Sequence, residues 1–196
     1  MKAIQKILDE HRSLSAVLHA LKQLARDAQD ASVKPGFAAF RAMVRYIDEF
    51  PEQLHHPKED QYLFARLVSR YPEAARLVVA LQEEHVKGAR LVRELERALL
   101  FFEDEWPAGA VEFLRRVDDY AEFHWKHMRK EELELLPLAE QHLTTEDWSV
   151  IDAAFEANQD PIAGVHEQDF RTLFSRIVSL APAPVGFGEP WRKVKA

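Results

Sequence analysis

The stretch Phe123-His-Trp-Lys-His-Met-Arg-Lys-Glu-Glu132 decides the fold, because it sets His124, His127 and Glu131 where an amphipathic helix otherwise carries leucines. A His and a Glu four residues apart return to nearly the same face, since four steps of about 100° overshoot a turn by only about 40°. The same spacing recurs in Leu54-His-His-Pro-Lys-Glu-Asp60, which puts His55 and Glu59 on one face, with Tyr62 beyond. Around the first stretch the stripe is apolar: Phe113, Leu114, Val117, Tyr120 and Ala121 precede it, and Leu135 and Leu138 follow. Two helices therefore each offer half of one buried metal site.

Working outward, the same periodicity covers most of the chain. Ile4, Ile7, Leu8, Leu14, Leu18, Leu21 and Ala25 recur at three- and four-residue steps with His11 inside the stripe. After Ser32-Val-Lys-Pro-Gly36 a second helix carries Phe40, Met43, Val44, Ile47 and Leu54 to about Leu67, with Pro51 and Pro57 predicting a bend or local break before the HHPKED segment. Pro72 opens a third helix, whose seam is Leu77, Leu81, His85, Gly88, Val92, Leu95, Leu99 and Phe102, and Pro107 opens the fourth. No segment reads as a strand. The predicted fold class is all-α: an antiparallel up-and-down four-helix bundle with one or two additional C-terminal helices. The bundle occupies residues 1–142, a helical extension packed on it residues 143–181, and a Pro/Gly-rich tail, expected to be extended or mobile, residues 182–196. Thr144-Thr-Glu-Asp147 marks the start of a fifth helix, around Trp148 to Ala157, and a sixth is placed from about His166 to Ser179.

Composition narrows the chemistry. The 196 residues suffice for one well-packed core, and 47% hydrophobic with 30% charged residues describes a globular chain. With no cysteine there is no disulfide, thiolate zinc site, iron–sulfur cluster or thiol nucleophile. The N-terminal MKAIQKILDEHRSL has no apolar core of a secretory signal, and no later run reaches membrane-spanning length, so the expected compartment is the cytoplasm. A formal charge of -7 argues against nucleic acid and against anionic membranes as partners.

Carboxylates on a bundle seam are costly unless paired or bound to metal. Here each helix contributes ligand types: His11 from the first, His55 and Glu59 from the second, His85 from the third, and His124, His127 and Glu131 from the fourth. One tetrahedral zinc uses about four ligands and leaves the rest unsatisfied. Two six-coordinate ions sharing a bridging oxygen need about ten protein positions, and five nitrogens with two bridging carboxylates supply about nine. The one open position is where oxygen, peroxide or nitric oxide can bind. Iron suits this donor set best, with manganese or zinc as substitutes. A ferritin-like site fits less well, since only Glu52 to His55 has its Glu-x-x-His spacing.

His55-His-Pro-Lys-Glu-Asp-Gln-Tyr-Leu-Phe64 and His124-Trp-Lys-His-Met-Arg-Lys-Glu-Glu132, with Glu84-His85 between them and Glu10-His11 near the start, resemble the hemerythrin-like, HHE cation-binding family from about His11 to His142. The resemblance implies two iron ions joined by an oxo or hydroxo bridge, with Glu59 and Glu131 bridging and the histidines as terminal ligands. Oxygen carriers of this kind have two histidines four residues apart on the third helix, but Leu81 and Ala89 flank His85 at that distance. His124 is the candidate for the missing nitrogen; its alternatives are a place beside the ligands or in the pocket lining. The carriers also place an Asp at five residues where this chain has Glu131 at four.

Taken singly, His11 or His85 reads as a hydrogen-bonded core histidine, and it is the agreement of four helices that makes them ligands. His19, His56, His142 and His166 are read as surface or packing residues, His56 because it points about 100° away from His55. Glu10, Asp60, Glu84 and Glu132 adjoin ligands and point off the seam; most are expected in solvent, with one or two accepting the outward N–H of a ligand on a neighbouring helix. Tyr62 is expected to pack, not to serve as a hydroxyl donor. The favoured function is a binding module for oxygen or nitric oxide, or a responder to iron or redox state. The alternatives are an enzyme that removes peroxide or oxidises a small substrate, and an iron-centre repair protein, whose relatives usually carry a cysteine-bearing N-terminal segment. Sensory output would pass through a protein partner or a homodimer, for which the C-terminal helices offer a surface.

Overall fold

A computed structural model describes residues 1–30, 32–157, 175 and 177–193. The first helix, α1, is Lys2–Asp27. The second span runs from Phe37 to Arg70 without interruption: α2 (Phe37–Ile47), a wide π turn (Asp48–His55), α3 (His56–Lys58), a second wide turn (Glu59–Phe64) and α4 (Ala65–Arg70). A 3-10 turn at Pro72–Ala74 leads into α5 (Ala75–Asp104), and α6 (Ala110–Lys130) continues through a third wide turn (Glu131–Leu135) into α7 (Leu136–His142). The helix α8, Thr145–Glu156, completes the bundle's described helices.

The predicted break before HHPKED is instead a widening. A proline lacks the N–H that bonds the carbonyl four residues back, and its ring collides with that carbonyl. Pro57 stands four residues after Gln53, which lies in the first wide turn together with Pro51, and Pro137 four after Leu133, which lies in the third, so the extra residue per turn relieves the conflict without ending the helix. The fourth helix begins at Ala110, three residues beyond the Pro107 start read from sequence. Thr144 caps α8 as expected: its hydroxyl accepts from the Asp147 N–H at 3.3 Å while the Asp147 carboxylate accepts from the Thr144 N–H at 3.1 Å. Most of the sixth helix placed at His166 to Ser179 lies outside the described residues.

Residue pairs between neighbouring helices run in opposite order. His11 meets Glu132 and Lys22 meets Asp118 across α1 and α6. Across α5 and α6, Glu84 meets His127 and Glu94 meets Arg116. The second span meets α5 through Arg41 with Glu103, Asp48 with Arg93 and Asp60 with His85. Two apolar blocks fill the interior. One, around Leu18, Phe40, Leu95, Phe102 and Phe113, occupies one end, and the other, around Ile7, Phe64, Leu81, Leu135, Ile151 and Phe155, the opposite end. His11, His55 and His85 fall between the blocks in sequence, and His127 lies at the border, beside Met128 of the first block, so a polar layer divides the core.

Two expectations change at the C-terminus. Val33–Lys34 and Arg192–Lys193 pair as a two-residue antiparallel ribbon, although no strand was expected. The tail is also docked: the Phe187 and Gly188 N–H groups donate to Val178 and Ala181 carbonyls at 2.8 Å, and the Trp191 ring lies 6.0 Å from Phe40. No helix among the described residues is long and apolar enough to cross a membrane.

The turn between α5 and α6 depends on Gly109, where a Cβ would collide with the backbone of Phe102. Gly109→Ala is expected to destabilise the protein by about 1–3 kcal/mol in urea titration while leaving the polar layer, far along the helices, able to load metal. An unchanged midpoint would contradict that close approach.

Candidate metal centre

The wide turns sit where the ligand types are. His55 ends the first, Glu59 begins the second and Glu131 begins the third, so each is delivered from a segment whose side chains are re-aimed relative to a regular helix. His11 comes from α1, His85 from α5, and His124 and His127 from α6. All are buried, with Glu59, Glu131 and His124 at 0% exposure.

Glu59 and Glu131 stand between the imidazoles. One Glu59 oxygen is 3.3 Å from His55 Nε2, the other 3.6 Å from His85 Nε2. One Glu131 oxygen lies 3.3 Å from His127 Nε2 and 3.6 Å from His85 Nε2, the other 3.3 Å from His11 Nε2. Ligand atoms of His11, His55 and Glu59 fall within 4.8 Å of one another, as do those of His56, His85 and His127, and those of Glu59, His85, His127 and Glu131. Glu59 thus belongs to two overlapping groups. All four oxygens of Glu59 and Glu131, and Nε2 of His55, His85 and His127, are buried without a hydrogen-bond partner. Groups left that way carry a desolvation cost that a cation would remove, and the mixed nitrogen and oxygen donor set suits a divalent or trivalent metal.

The outer nitrogens are bound. Glu10 accepts from His55 Nδ1 at 2.6 Å, Asp60 from His85 at 3.1 Å, Glu84 from His127 at 2.9 Å and Glu132 from His11 at 2.9 Å. All four acidic neighbours, not one or two, therefore orient a histidine, and each belongs to a helix adjacent to the one it serves. The contacts close a ring: α1 to the second span, that span to α5, α5 to α6, and the turn after α6 back to α1. With Nδ1 committed as a donor, each ring turns its Nε2 inward.

Electrostatics follow from this crowding. Burial works against a charged His85, but the Asp60 hydrogen bond and the nearby Glu131 and Glu59 carboxylates prevail and raise it to about 9. For His127 burial is likewise outweighed, by Glu131 and then Glu84, and its pKa rises to about 10. Burial would push the Glu131 carboxyl up, yet His127, His11 and His85 hold it well below the usual range. His56 moves the other way: burial, reinforced by the charge on His85, drives it well below an ordinary histidine.

The geometric cluster differs from the expected set at one member. His11, His55, Glu59, His85, His127 and Glu131 converge as expected, but the seventh member is His56, read as a surface or packing residue and in fact 4% exposed among the others. The 100° projection assumes a regular helix, whereas His56 lies between two wide turns with more residues per turn. His124 joins none of the three groups; its Nε2 is 3.2 Å from Glu52. Glu52 and Tyr120 are additions: the Tyr120 hydroxyl donates to Glu52 at 2.8 Å, and Glu52 also faces His56 Nδ1 at 3.3 Å. The signal for them was spacing, since Glu52 precedes His56, and Tyr120 precedes His124, by four residues. Tyr62 packs against the second apolar block. His19 is exposed and lies against Trp125, and His142 stacks on Tyr71 at 3.9 Å, as surface and packing residues do; His166 lies outside the described residues.

A family model described as hemerythrin HHE cation binding domain matches residues 2–139, a span that contains the whole cluster. No curated protein matches the sequence.

Metal binding at Nε2 must displace a proton wherever the metal-free imidazole is charged, as His85 and His127 are at pH 7 given raised pKa values of about 9 and about 10. Loading at pH 7 in weak buffer is expected to acidify the solution by at least about two protons per chain, and affinity to fall as pH is lowered. Metal uptake without proton release would contradict the assigned charge states.

Proposed function

The chain belongs to the hemerythrin HHE cation-binding domain family, and from that premise we propose that its polar layer holds two iron ions. His11 and His55 would bind one, His56, His85 and His127 the other, with Glu59 and Glu131 shared between them; manganese or zinc are the substitutes this donor set accepts. The opposite-running contacts support an antiparallel up-and-down four-helix bundle as the frame. We assign residues 1–142 to it, with α8 as an extension held by the Ala3 N–H donating to Asp152 at 2.7 Å and by Arg70 with Asp147 at 2.7 Å. We also place the protein in the cytoplasm, on the sequence grounds given above.

The observation that favours small-gas binding is a cavity beside the layer. It is lined by His11, His55 and His56 together with the apolar Leu14, Phe50 and Met128, all buried. Its volume, about 10 Å³ counted as room for the centre of a water-sized sphere, is the space of one small molecule. An organic substrate does not fit. His11 and His55 would supply two nitrogens to one ion where the other would receive three, so a small ligand would be taken up at the His11 and His55 side, which this cavity adjoins. A bound iron pair supplies redox-active coordination positions that take up oxygen or nitric oxide. The chain's own part is to aim the Nε2 atoms of His11, His55, His85 and His127 inward, to keep carboxylates on their outer nitrogens, and to wall the position with apolar groups that exclude bulk water. Hydrogen peroxide is small enough for the same cavity, which makes peroxide removal the second reading.

Anaerobically reduced, iron-loaded protein exposed to oxygen or nitric oxide separates the two. A spectral adduct that reverses when the gas is withdrawn is the expected result. Irreversible oxidation with catalytic peroxide turnover would instead establish the enzyme.

A further inference from the structure

His56 stands apart from the other four histidines of the cluster. Their carboxylates come from neighbouring helices, at 2.6 to 3.1 Å from Nδ1 and aligned as hydrogen bonds. The carboxylate facing His56 is Glu52, from one turn earlier in the same span, at 3.3 Å and without hydrogen-bond alignment. Among the described residues no neighbouring helix sets a carboxylate on the His56 Nδ1, although His85 of α5 stacks on the ring, centroids 4.2 Å apart. What is held by other helices is Glu52 itself.

Three observations converge on that carboxylate, whose side chain is 4% exposed. The Tyr120 hydroxyl donates to Oε1 at 2.8 Å, and His124 Nε2 lies 3.2 Å from the same oxygen. Tyr120 and His124 are themselves packed together, ring centroids 4.2 Å apart, at 1% and 0% exposure. On α5, Gly88 leaves the room: a Cβ there would stand 3.0 Å from Glu52 Oε1 and 3.2 Å from His124 Nε2. The His124 ring lies parallel to His56, within 2°, at 5.8 Å. A buried carboxylate is held in place only where polar groups surround it, and here α6 provides the Tyr120 hydroxyl as donor and the His124 imidazole at ion-pair distance, without hydrogen-bond alignment, while α5 withdraws its side chain.

We propose that Glu52, fixed by Tyr120 and His124 in the space left by Gly88, is the positioning residue that makes His56 a metal-binding imidazole. This rests on the two-metal reading above. With metal bound, Glu52 would accept a hydrogen bond from His56 Nδ1–H, closing the 3.3 Å approach seen here, and so leave the lone pair on Nε2. His124 and Tyr120 act through Glu52 and touch no metal. The unit explains how a nitrogen is supplied from the second span when α5 offers Leu81 and Ala89 on either side of His85.

The test uses the full chain loaded with iron(II) under nitrogen. Proton NMR reads the exchangeable ring N–H signals of bound histidines, shifted far downfield by the metal, and the rate of iron loss to a chelator gives a second readout. Five N–H signals are expected, one for each of His11, His55, His56, His85 and His127. The isosteric Glu52→Gln and Tyr120→Phe should move the same single signal, the one abolished in His56→Ala, and Glu52→Gln should speed iron loss about 10- to 100-fold. His124→Gln should keep all five signals and both irons. Loss of a signal or an iron in His124→Gln would make His124 a ligand and overturn the proposal, as would an unmoved spectrum and unchanged chelation rate in Glu52→Gln. A wild-type protein that takes up one iron or none fails at the earlier step, and the two-metal reading falls with this one.

Discussion

Two carboxylates with no hydrogen-bond partner, set at the middle of an otherwise apolar bundle, are the constraint on which the rest of the structure turns. Glu59 and Glu131 are fully buried, and their oxygens face imidazole nitrogens from every long helical span. Such a layer costs stability in a core unless charge is compensated within it. In the metal-free chain Glu59, Glu131 and the outer carboxylates favour the charged form of His55, His85 and His127 against their burial, which offsets part of that cost. A cation does the same work with better directed bonds, which is why the polar layer and cation binding belong to one design.

The ring of carboxylates ties this layer to the bundle. Each long span carries both a histidine that faces inward and an acidic neighbour that orients a histidine on the next span. Displacing any one helix therefore disturbs two contacts of the ring, its own histidine's and its neighbour's. The apolar blocks on either side set the spacing of the spans, and the ring sets their rotation. His56 lies outside this scheme and is served from within its own span.

Much of this was legible in the sequence. His11, His55, Glu59, His85, His127 and Glu131 could be read because the seam recurs at helical spacing on every span, and the Thr144 to Asp147 cap is a local signal. Part of what escaped has a local physical cause. Pro57 and Pro137 widen the helix near the ligands, and a regular projection then misplaces side chains, most of all His56. The exchange of His56 for His124 follows from it, since both are histidines next to a ligand and only the turn geometry separates them. For Glu52 and Tyr120 the four-residue spacing to His56 and to His124 was half a signal: the contact between Tyr120 and Glu52 joins residues far apart in sequence, which spacing within one helix cannot reveal. The pairing of Val33–Lys34 with Arg192–Lys193 is equally non-local.

The central claim is that the polar layer is a two-ion centre shared by Glu59 and Glu131. Anomalous diffraction from crystals of the iron-loaded protein, collected at the iron edge, tests it most directly. Two peaks are predicted within the layer, one reached by His11 and His55 and the other by His56, His85 and His127, with both carboxylates touching each. A single peak, or two peaks with Glu59 and Glu131 bound to neither, would contradict the account.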